Sequence, residues 1–524
     1  MLQFQHKQKY RAVEAFGSTE GYTEKGRIDT IMIKIVIETN NRSALMAYKG
    51  IQDFISTLEK QGELKRVSAE VDPHLEISEI YDRVVKAEGP ALLFEHPRGA
   101  EFPVAINLFG SMKRMALALG VDSIDRLEES MNKIFDLSRY RNPLEAVRSL
   151  PDLSRFAAVF PLGSATAPCQ AVEEEPDLDK LPVLTCWPGD AGRFLTLPLV
   201  ITMDPDTGQQ NMGMYRMQVF DKTTTGMHWH LHKDGRMLWE KYRMRGEKMP
   251  VSVALGCDPS IIYSATAPLP SGIDELAFAG FLRRLPVTTT KCRSNDIRVP
   301  SGAEFILEGY VDPAEPLRTE GPFGDHTGYY SLADQYPVFH LERMTRRKHP
   351  VYPATVVGKP PMEDCFIGKA TERLFLPLIK LQLPEIVDIS FPFEGVFHGC
   401  VIVSIKKRYP GHAGKVMNAL WGMGQMMYTK MIVVVDEDVK PDDYSTVAWK
   451  VFNNIDASRD LVLSKGPLDA LDHSSPLPHY GTRLGIDATK TLPEEGHDRL
   501  WPDEITMSED IRALVNQRWK EYGI

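Results

Sequence analysis

The stretch NMGMYRMQVFDKTTTGMHWHLHKD runs from Asn211 to Asp234. It sets an amide, a guanidinium and three alternating histidines inside one strand-like, turn-interrupted unit. Met212 to Phe220 reads as a strand, Asp221 to Gly226 as a polar turn and Met227 to His232 as a second strand, which predicts a β-hairpin. Residues two apart on a strand share a face, so His228, His230 and His232 would point one way while Trp229 and Leu231 point the other. A histidine on a half-exposed strand is most simply a solvated one. Three in alternation beside Asn211 and Arg216 point instead to a site for a metal or an anion.

Outward from the hairpin, the chain from about Phe160 is built of short apolar runs punctuated by Pro and Gly. These are Leu181 to Thr185, Pro198 to Met203, Val251 to Leu255 and Phe305 to Val311, and they predict an antiparallel sheet or barrel. Within them, Gly272 to Phe281 reads as a helix carrying Asp274 and Glu275 near its start. Such acids commonly serve the helix dipole, but a hard cation near Asn211 and a histidine would also want a carboxylate oxygen. The loop TEGPFGDHTGYY, Thr319 to Tyr330, carries Glu320 and Asp325 among Phe323, Tyr329 and Tyr330. Those rings are expected to desolvate a carboxyl and raise its pKa into the range useful for proton transfer. With Arg216, whose planar fork matches a carboxylate, the two acids form a candidate acid/base set around an acidic substrate.

On either side the pattern turns to α/β. Ile51, Phe54, Ile55 and Leu58 recur at helical spacing up to Gly62, and Asp72-Pro73 opens a second helix through Val85. Leu64 to Val67, Ala91 to Phe94 and Val104 to Leu108 read as strands. After about residue 345, Val401 to Ile405 and Met431 to Val435 read as strands around a helix over Gly414 to Trp421, and a last helix is expected over Ile511 to Trp519. Residues 1 to 45 are polar and unpatterned, and read as an extension outside the fold, with Met46 as the natural beginning.

Composition narrows the classes. A chain of 524 residues is long enough for several domains, and 43% hydrophobic with 25% charged residues is ordinary for a water-exposed protein. The net charge of −10 and the lack of a basic run argue against nucleic acid as a partner. The six cysteines show no CxxC or paired spacing, which suits reduced thiols in the cytoplasm. No apolar run approaches the length of a membrane span, and peripheral contact with a membrane stays open. Dinucleotide, P-loop, nucleophile-elbow and HExxH signatures are all absent.

The segments QDFISTLEKQGELKRV, GPALLFEHPRG, LTCWPGD, PVSVALGCDPS, ELAFAGFLR, LEGYVD, EGPFGDHTGYY, LPEIVDI and MYTKMIVVVDEDV together resemble the UbiD family of decarboxylases, from about Ala47 to about Thr489. The resemblance implies an α+β, multidomain chain. Its parts would be an N-terminal α/β domain over 46–158, a flavin-reductase-like split β-barrel over 159–345, a C-terminal α/β domain over 346–490 and a helical tail over 491–524. It implies prenylated FMN as cofactor and a divalent metal, usually manganese, with potassium as a further candidate ion. Asn211, His232 and Glu275 match the metal ligands. Met214, Tyr215, Arg216, His228, Trp229, His230, Lys233 and Asp234 match segments that contact the flavin, and Arg216, Glu320 and Asp325 match the catalytic trio.

The implied reaction is reversible, non-oxidative decarboxylation of an aromatic acid through a covalent adduct with the modified flavin, because the carbon losing CO2 needs an electron sink. Arg216 would orient the carboxylate, Glu320 would support it and shuttle protons, and Asp325 would donate the proton that replaces CO2. The likeness is greatest to the branch acting on 4-hydroxy-3-polyprenylbenzoate in ubiquinone biosynthesis. This chain departs from that branch by having His228 and His230 in place of Arg and Leu, and Lys233-Asp234 in place of Arg-Gly. Menaquinone-pathway and simpler phenolic or unsaturated acids are therefore open as substrates. The family also implies a UbiX-like flavin prenyltransferase as cofactor supplier and a homo-oligomer, hexameric or dimeric. Two competing readings are a three-histidine zinc or iron site in a hydrolase or oxygenase, and a non-catalytic binding module.

Overall fold

The computed structural model describes residues 47–135, 160–230, 233–270, 272–497 and 499–524. The expected extension over 1–45 and the candidate ligand His232 lie outside them. The chain divides into two compact units, one up to Ile379 and one from Lys380 onward.

The first unit begins with helix α1 (Ile51–Lys60), which forms because Ile51, Phe54, Ile55 and Leu58 recur on one buried face. It ends where Gly62 takes φ +71°, a left-handed conformation that a residue without Cβ adopts freely. Strand β1 (Leu64–Val71), helix α2 (Glu76–Lys86) and strands β2 (Ala91–Pro97) and β3 (Val104–Ile106) follow. β1 and β2 pair in parallel, β2 and β3 antiparallel.

Next comes the central sheet. Its strands are β4 (Val172–Glu174), β5 (Leu199–Met203), β6 (Gln210–Met214), β7 (Thr224–Gly226), β8 (Met249–Leu255), β9 (Phe305–Val311) and β10 (Val338–Arg346). Every pairing in it is antiparallel. The order is β7-β10-β9-β8-β5-β6, with β4 also on β10. The end strands β6 and β7 are not paired with each other among the described residues, so the sheet is open rather than a closed barrel. Helices α3 (Asp234–Arg245) and α4 (Glu275–Arg283) interrupt the strand sequence. Strand β11 (Tyr352–Pro353) then returns to pair in parallel with β3.

One buried cluster runs through both sheets, from Val71, Tyr81 and Phe94 to Val200, Val253, Phe305 and Phe339. The N-terminal segment and the central sheet therefore share a core.

The second unit carries a five-stranded mixed sheet. Its strands are β12 (Ile386–Ser390), β13 (Cys400–Ile405), β14 (Met431–Asp436), β15 (Leu461–Pro467) and β16 (Tyr480–Asp487), in the order β12-β13-β14-β16-β15. The β13/β14 and β14/β16 pairs are parallel and the flanking pairs antiparallel. Helix α5 (His412–Trp421) joins β13 to β14, as a parallel crossover requires. The final helix α6 (Glu509–Arg518) buries none of its residues. Among the described residues no helix is long and apolar enough to cross a membrane.

Two sequence expectations are corrected. Leu181 to Thr185 forms no strand, and contributes only isolated bridges, Leu184 to Phe194 and Thr185 to His74. Of the hairpin expected over Met212 to His232, the described residues form only the tight turn, with an antiparallel bridge between Val219 and Thr225 and the Phe220 amide donating to the Thr224 carbonyl. β6 stops at Met214, Met217–Gln218 pairs with Phe194–Leu195, and β7 is three residues long. The reason is long-range. β6 is held by β5 and β7 by β10, at opposite ends of the sheet order, so tertiary pairing overrides the local alternation.

Candidate active site

The break after β6 turns Arg216 inward. The residue is 9% exposed and meets two acids, Glu320 at the end of the short strand Arg318–Glu320 and Asp325 in the loop that follows it. Arg216 Nε donates to Glu320 Oε1 at 2.8 Å and Nη2 to Glu320 Oε2 at 3.0 Å. Nη1 donates to Asp325 Oδ2, and Nη2 also reaches Ser331 Oγ at 3.0 Å. The guanidinium lies over the Phe323 ring, 4.6 Å from its centroid. An arginine has five N–H groups, and four are directed at Glu320, Asp325 and Ser331. A two-point grip on a substrate carboxylate therefore requires one of these partners to yield.

The acids are fixed by neighbouring loops. Gln218 Oε1 accepts from the Gly321 amide at 2.8 Å. Asp190 accepts from the Gly324 amide at 2.7 Å and from the Cys186 and Trp187 amides, tying the LTCWPGD segment to the EGPFGDHTGYY loop. Asp325 also receives the backbone N–H of His326 and pairs with its ring Nδ1 at 2.9 Å.

The charges depart from expectation. Burial alone would raise the Glu320 carboxyl, but the His228 hydrogen bond and the Arg216 charge outweigh it and hold the group well below the usual carboxylate range. Burial likewise opposes ionisation of Asp325, and the His326 hydrogen bond and the Arg216 charge prevail. Neither carboxyl is raised. The expected aromatic desolvation is overridden because Arg216 sits between the two acids, while Tyr329 and Tyr330 are exposed.

His228 is buried and its two ring nitrogens face two partners. Nδ1 lies 3.0 Å from Glu320 Oε2, and Nε2 lies 2.6 Å from His230 Nε2. Burial and the Arg216 charge push its pKa down, so the ring is neutral near pH 7. The Tyr336 ring packs on it with centroids 4.5 Å apart. Trp229, between the two histidines, is 1% exposed and meets Tyr215 edge-on. Lys233 and Asp234 form the start of α3, whose N-cap Lys233 provides no side-chain hydrogen bond.

A second cluster lies beside β6. Glu275, at the start of α4, accepts from Asn211 Nδ2 at 3.1 Å and from the Met212 amide at 3.0 Å. Asp274 serves as the helix cap, accepting from the Ala277 amide, so the two acids divide the structural and site roles. Burial pushes the Glu275 carboxyl up to about 7, and Asn211 Oδ1 is buried without a hydrogen-bond partner among the described residues. An orphaned amide oxygen beside a carboxylate without a cation fits a hard divalent ion. The uncapped N–H groups of α3 suit an anionic group such as a phosphate. Among the described residues no group of three or more His, Cys, Asp and Glu side chains is placed to hold a metal ion.

Sequence reasoning missed Ser331, His326, Phe194, Tyr336 and Asp190. Ser331 and His326 adjoin the Glu/Asp loop and were findable by proximity. Phe194 comes from a distant strand and was not, while Tyr336 lies on the strand that pairs with Arg318–Glu320 and reaches His228 only through that pairing.

Residues 55–134, 161–360 and 365–488 match, in turn, the N-terminal, Rift-related and C-terminal domains of UbiD, 3-octaprenyl-4-hydroxybenzoate carboxy-lyase. An uncharacterized protein of Archaeoglobus fulgidus is 52% identical over 480 residues, 91% of this chain and 99% of its own length. The chain belongs to the UbiD carboxy-lyase family. UbiD-family enzymes are decarboxylases, and similar solved structures agree. The vanillic acid decarboxylase of Sedimentibacter hydroxybenzoicus in closed form matches with TM-score 0.80 and 27% identity, over 91% of this chain and 100% of its own. The UbiD-class enzyme HmfF of Pelotomaculum thermopropionicum, in complex with FMN, matches with TM-score 0.72 and 28% identity, over 86% of this chain and 97% of its own.

Proposed function

We propose that this UbiD-family protein performs reversible, non-oxidative decarboxylation of an aromatic carboxylic acid with prenylated FMN as cofactor, and that its substrate is a 4-hydroxy-3-polyprenylbenzoate, released as the 2-polyprenylphenol for quinone biosynthesis. The observation that carries the reading is the buried Glu320–Arg216–Asp325 array, a cation held between two ionised acids in a site screened from water. Structures of HmfF with FMN and with prenylated FMN support the cofactor. The proposed flavin site is the β6 end of the open central sheet, with Met214 to Arg216, His228 to His230 and Lys233-Asp234 around it. Asn211, Glu275 and His232 would hold a manganese ion beside the cofactor phosphate.

When bound, the flavin supplies the electron sink for the carbon that loses CO2. The chain's residues do the rest. Arg216 turns an N–H from Asp325 to the substrate carboxylate and orients it. Phe323, with Phe194 packed against it, covers the guanidinium and excludes water, which strengthens each charge interaction there. Asp325, freed from Arg216, takes up a proton and delivers it to the carbon. Glu320 holds the guanidinium in plane and exchanges protons with its surroundings. A UbiX-like prenyltransferase would supply the cofactor, and the chain would act as a cytoplasmic homo-oligomer.

The replacement of Arg and Leu by His228 and His230 favours a second substrate class, menaquinone-pathway or simpler phenolic acids. Release of 13CO2 from carboxyl-labelled 4-hydroxy-3-prenylbenzoate and vanillate, by protein co-expressed with a flavin prenyltransferase, tests both. Turnover of the prenylated acid supports the first substrate, turnover of vanillate alone the second, and no release from either contradicts the reading.

A further inference from the structure

Proton delivery by Asp325 requires its carboxyl to leave Arg216 for the substrate carbon and to return in every cycle. Residues 321–333 carry that side chain, and they form no strand of their own beyond a bridge between Gly324 and Tyr330. Such a segment has few backbone bonds to hold it in place, while a misplacement of about 1 Å can cost about 100-fold in rate. The backbone at Asp325 therefore has to be fixed from outside the loop.

We infer that Asp190 is the positioning residue that fixes it, acting through the Gly324 amide to set the point from which the Asp325 carboxyl turns. The inference rests on the decarboxylase reading and deepens it. Asp190 Oδ1 accepts the Gly324 N–H at 2.7 Å, one residue before Asp325. Its other oxygen, Oδ2, accepts the Cys186 and Trp187 amides at 3.0 and 2.9 Å, so one carboxylate clamps two loops together. Three further bonds close the same junction. The Ala191 amide donates to the Pro322 carbonyl at 2.9 Å, the Gly189 amide to Tyr330 Oη at 2.9 Å, and Trp187 Nε1 to the Val357 carbonyl at 2.8 Å. A Cβ on Gly324 would collide with the Trp187 ring, and one on Gly189 would stand 2.6 Å from Tyr330 Cζ, so the loops meet this closely only where glycine stands.

Within the loop, the Asp325 amide donates to the Tyr329 carbonyl at 3.1 Å and the Gly328 amide to the Asp325 carbonyl at 2.9 Å. With its N–H and C=O both held, Asp325 exchanges Arg216 for the carbon by rotation about its own side-chain bonds. Glu320 is held separately, by Arg216 and His228, and the Gly321 amide next to it by Gln218. Loss of Asp190 should hence disturb the proton donor and leave the Glu320 grip on Arg216 in place.

The experiment separates these two effects. Net decarboxylation breaks the C–C bond, leaves its electron pair on carbon and forms a C–H bond with the Asp325 proton, which Asp325 regains from water. Exchange of the substrate carboxyl with dissolved 13CO2 breaks and re-forms the same C–C bond and needs no proton. The ratio of net decarboxylation to exchange is measured in the loaded full-length protein with 4-hydroxy-3-prenylbenzoate as probe. It is independent of how much cofactor each variant carries.

Asp190→Ala is expected to lower the ratio on the order of 100-fold, the scale of a displaced reacting group. Where it fails to fold, Asp190→Asn keeps the size of the side chain, loses at least one of the three N–H partners, and is expected to lower the ratio likewise. A fall in both rates with the ratio unchanged shows a merely structural role for Asp190 and overturns the inference.

A second readout needs no turnover. Deuterium uptake by the backbone amides of residues 319–330, followed by mass spectrometry, is expected to rise in Asp190→Asn while uptake over the helix Ile51–Lys60 stays as in wild type. Unchanged uptake over 319–330 overturns the clamp, and so does an equal rise over both segments, which reports general loosening. A wild type that neither decarboxylates nor exchanges the probe sinks the proposed substrate reading, while the uptake still decides the clamp.

Discussion

Glu320 receives Nε and Nη2 of Arg216 on its two carboxylate oxygens, at 2.8 and 3.0 Å, with the carboxylate fully shielded from solvent. Such a fork-to-fork pair fixes the guanidinium in direction as well as in place. Its cation is shared with Asp325, and its acid with His228.

Removing the charge from one side of this array leaves a buried cation short of a partner. Glu320→Gln should cost stability on the order of 3 kcal/mol and lower kcat/KM about 100-fold or more. Urea unfolding and CO2 release check the two effects. A variant within about 0.5 kcal/mol of wild type, a range usual for surface changes, would show that the pair is not the anchor described.

The pH dependence follows from the depressed Glu320 pKa. Its unfolded-state value is near 4.5, and the folded value lies below it. The folded state thus binds fewer protons in the window between the two, and the stabilisation is present above pH 4.5 and lost as pH falls through the folded pKa. The stability gap between wild type and Glu320→Gln should be widest near neutral pH and shrink below pH 4.5. A gap that widens on acidification contradicts the assignment.

The sequence disclosed most of the elements and part of the site. Amphipathic helices such as Ile51–Lys60 and apolar strands such as Phe305–Val311 were legible because each buries one continuous pattern. The array of Arg216, Glu320 and Asp325 was nameable as residues, but its geometry was not, since it spans separations of 104 and 109 residues. Only the turn of the expected hairpin closed, between Val219 and Thr225, for a related reason, that strand alternation does not say which distant strand will be the partner. The carboxyl pKa values were misread because desolvation by the nearby rings was weighed without the guanidinium between the two acids.

Manganese should raise the thermal midpoint of the wild-type protein, because a ligand bound only to the folded state adds about 2.7 kcal/mol at a hundredfold excess over its Kd. Glu275→Ala removes the carboxylate that turns to Asn211 and the Met212 amide, and should abolish the shift. Thermal unfolding with and without MnCl2 reads this directly. An equal shift in both proteins would place the metal elsewhere.

Gly235 lies where a Cβ would stand 2.5 Å from Trp229 Nε1. The Trp229 ring is 1% exposed and cannot retreat into solvent. Gly235→Ala should therefore cost about 1–3 kcal/mol by overpacking, and lower the flavin content of the purified protein through the displaced ring. Chemical denaturation and flavin absorbance measure the two. Full flavin content in a destabilised variant would separate the Trp229 ring from the cofactor site.

The proposed reaction depends on prenylated FMN held beside a metal bound through Asn211 and Glu275. The most direct test is the absorption spectrum and mass of the cofactor released from protein co-expressed with a flavin prenyltransferase in the presence of manganese, for wild type and Glu275→Ala. A flavin of prenylated mass is expected in wild type, strongly depleted in the variant. A colourless wild-type protein that binds zinc stoichiometrically and loses it on substitution of His228, His230 or His232 would contradict it.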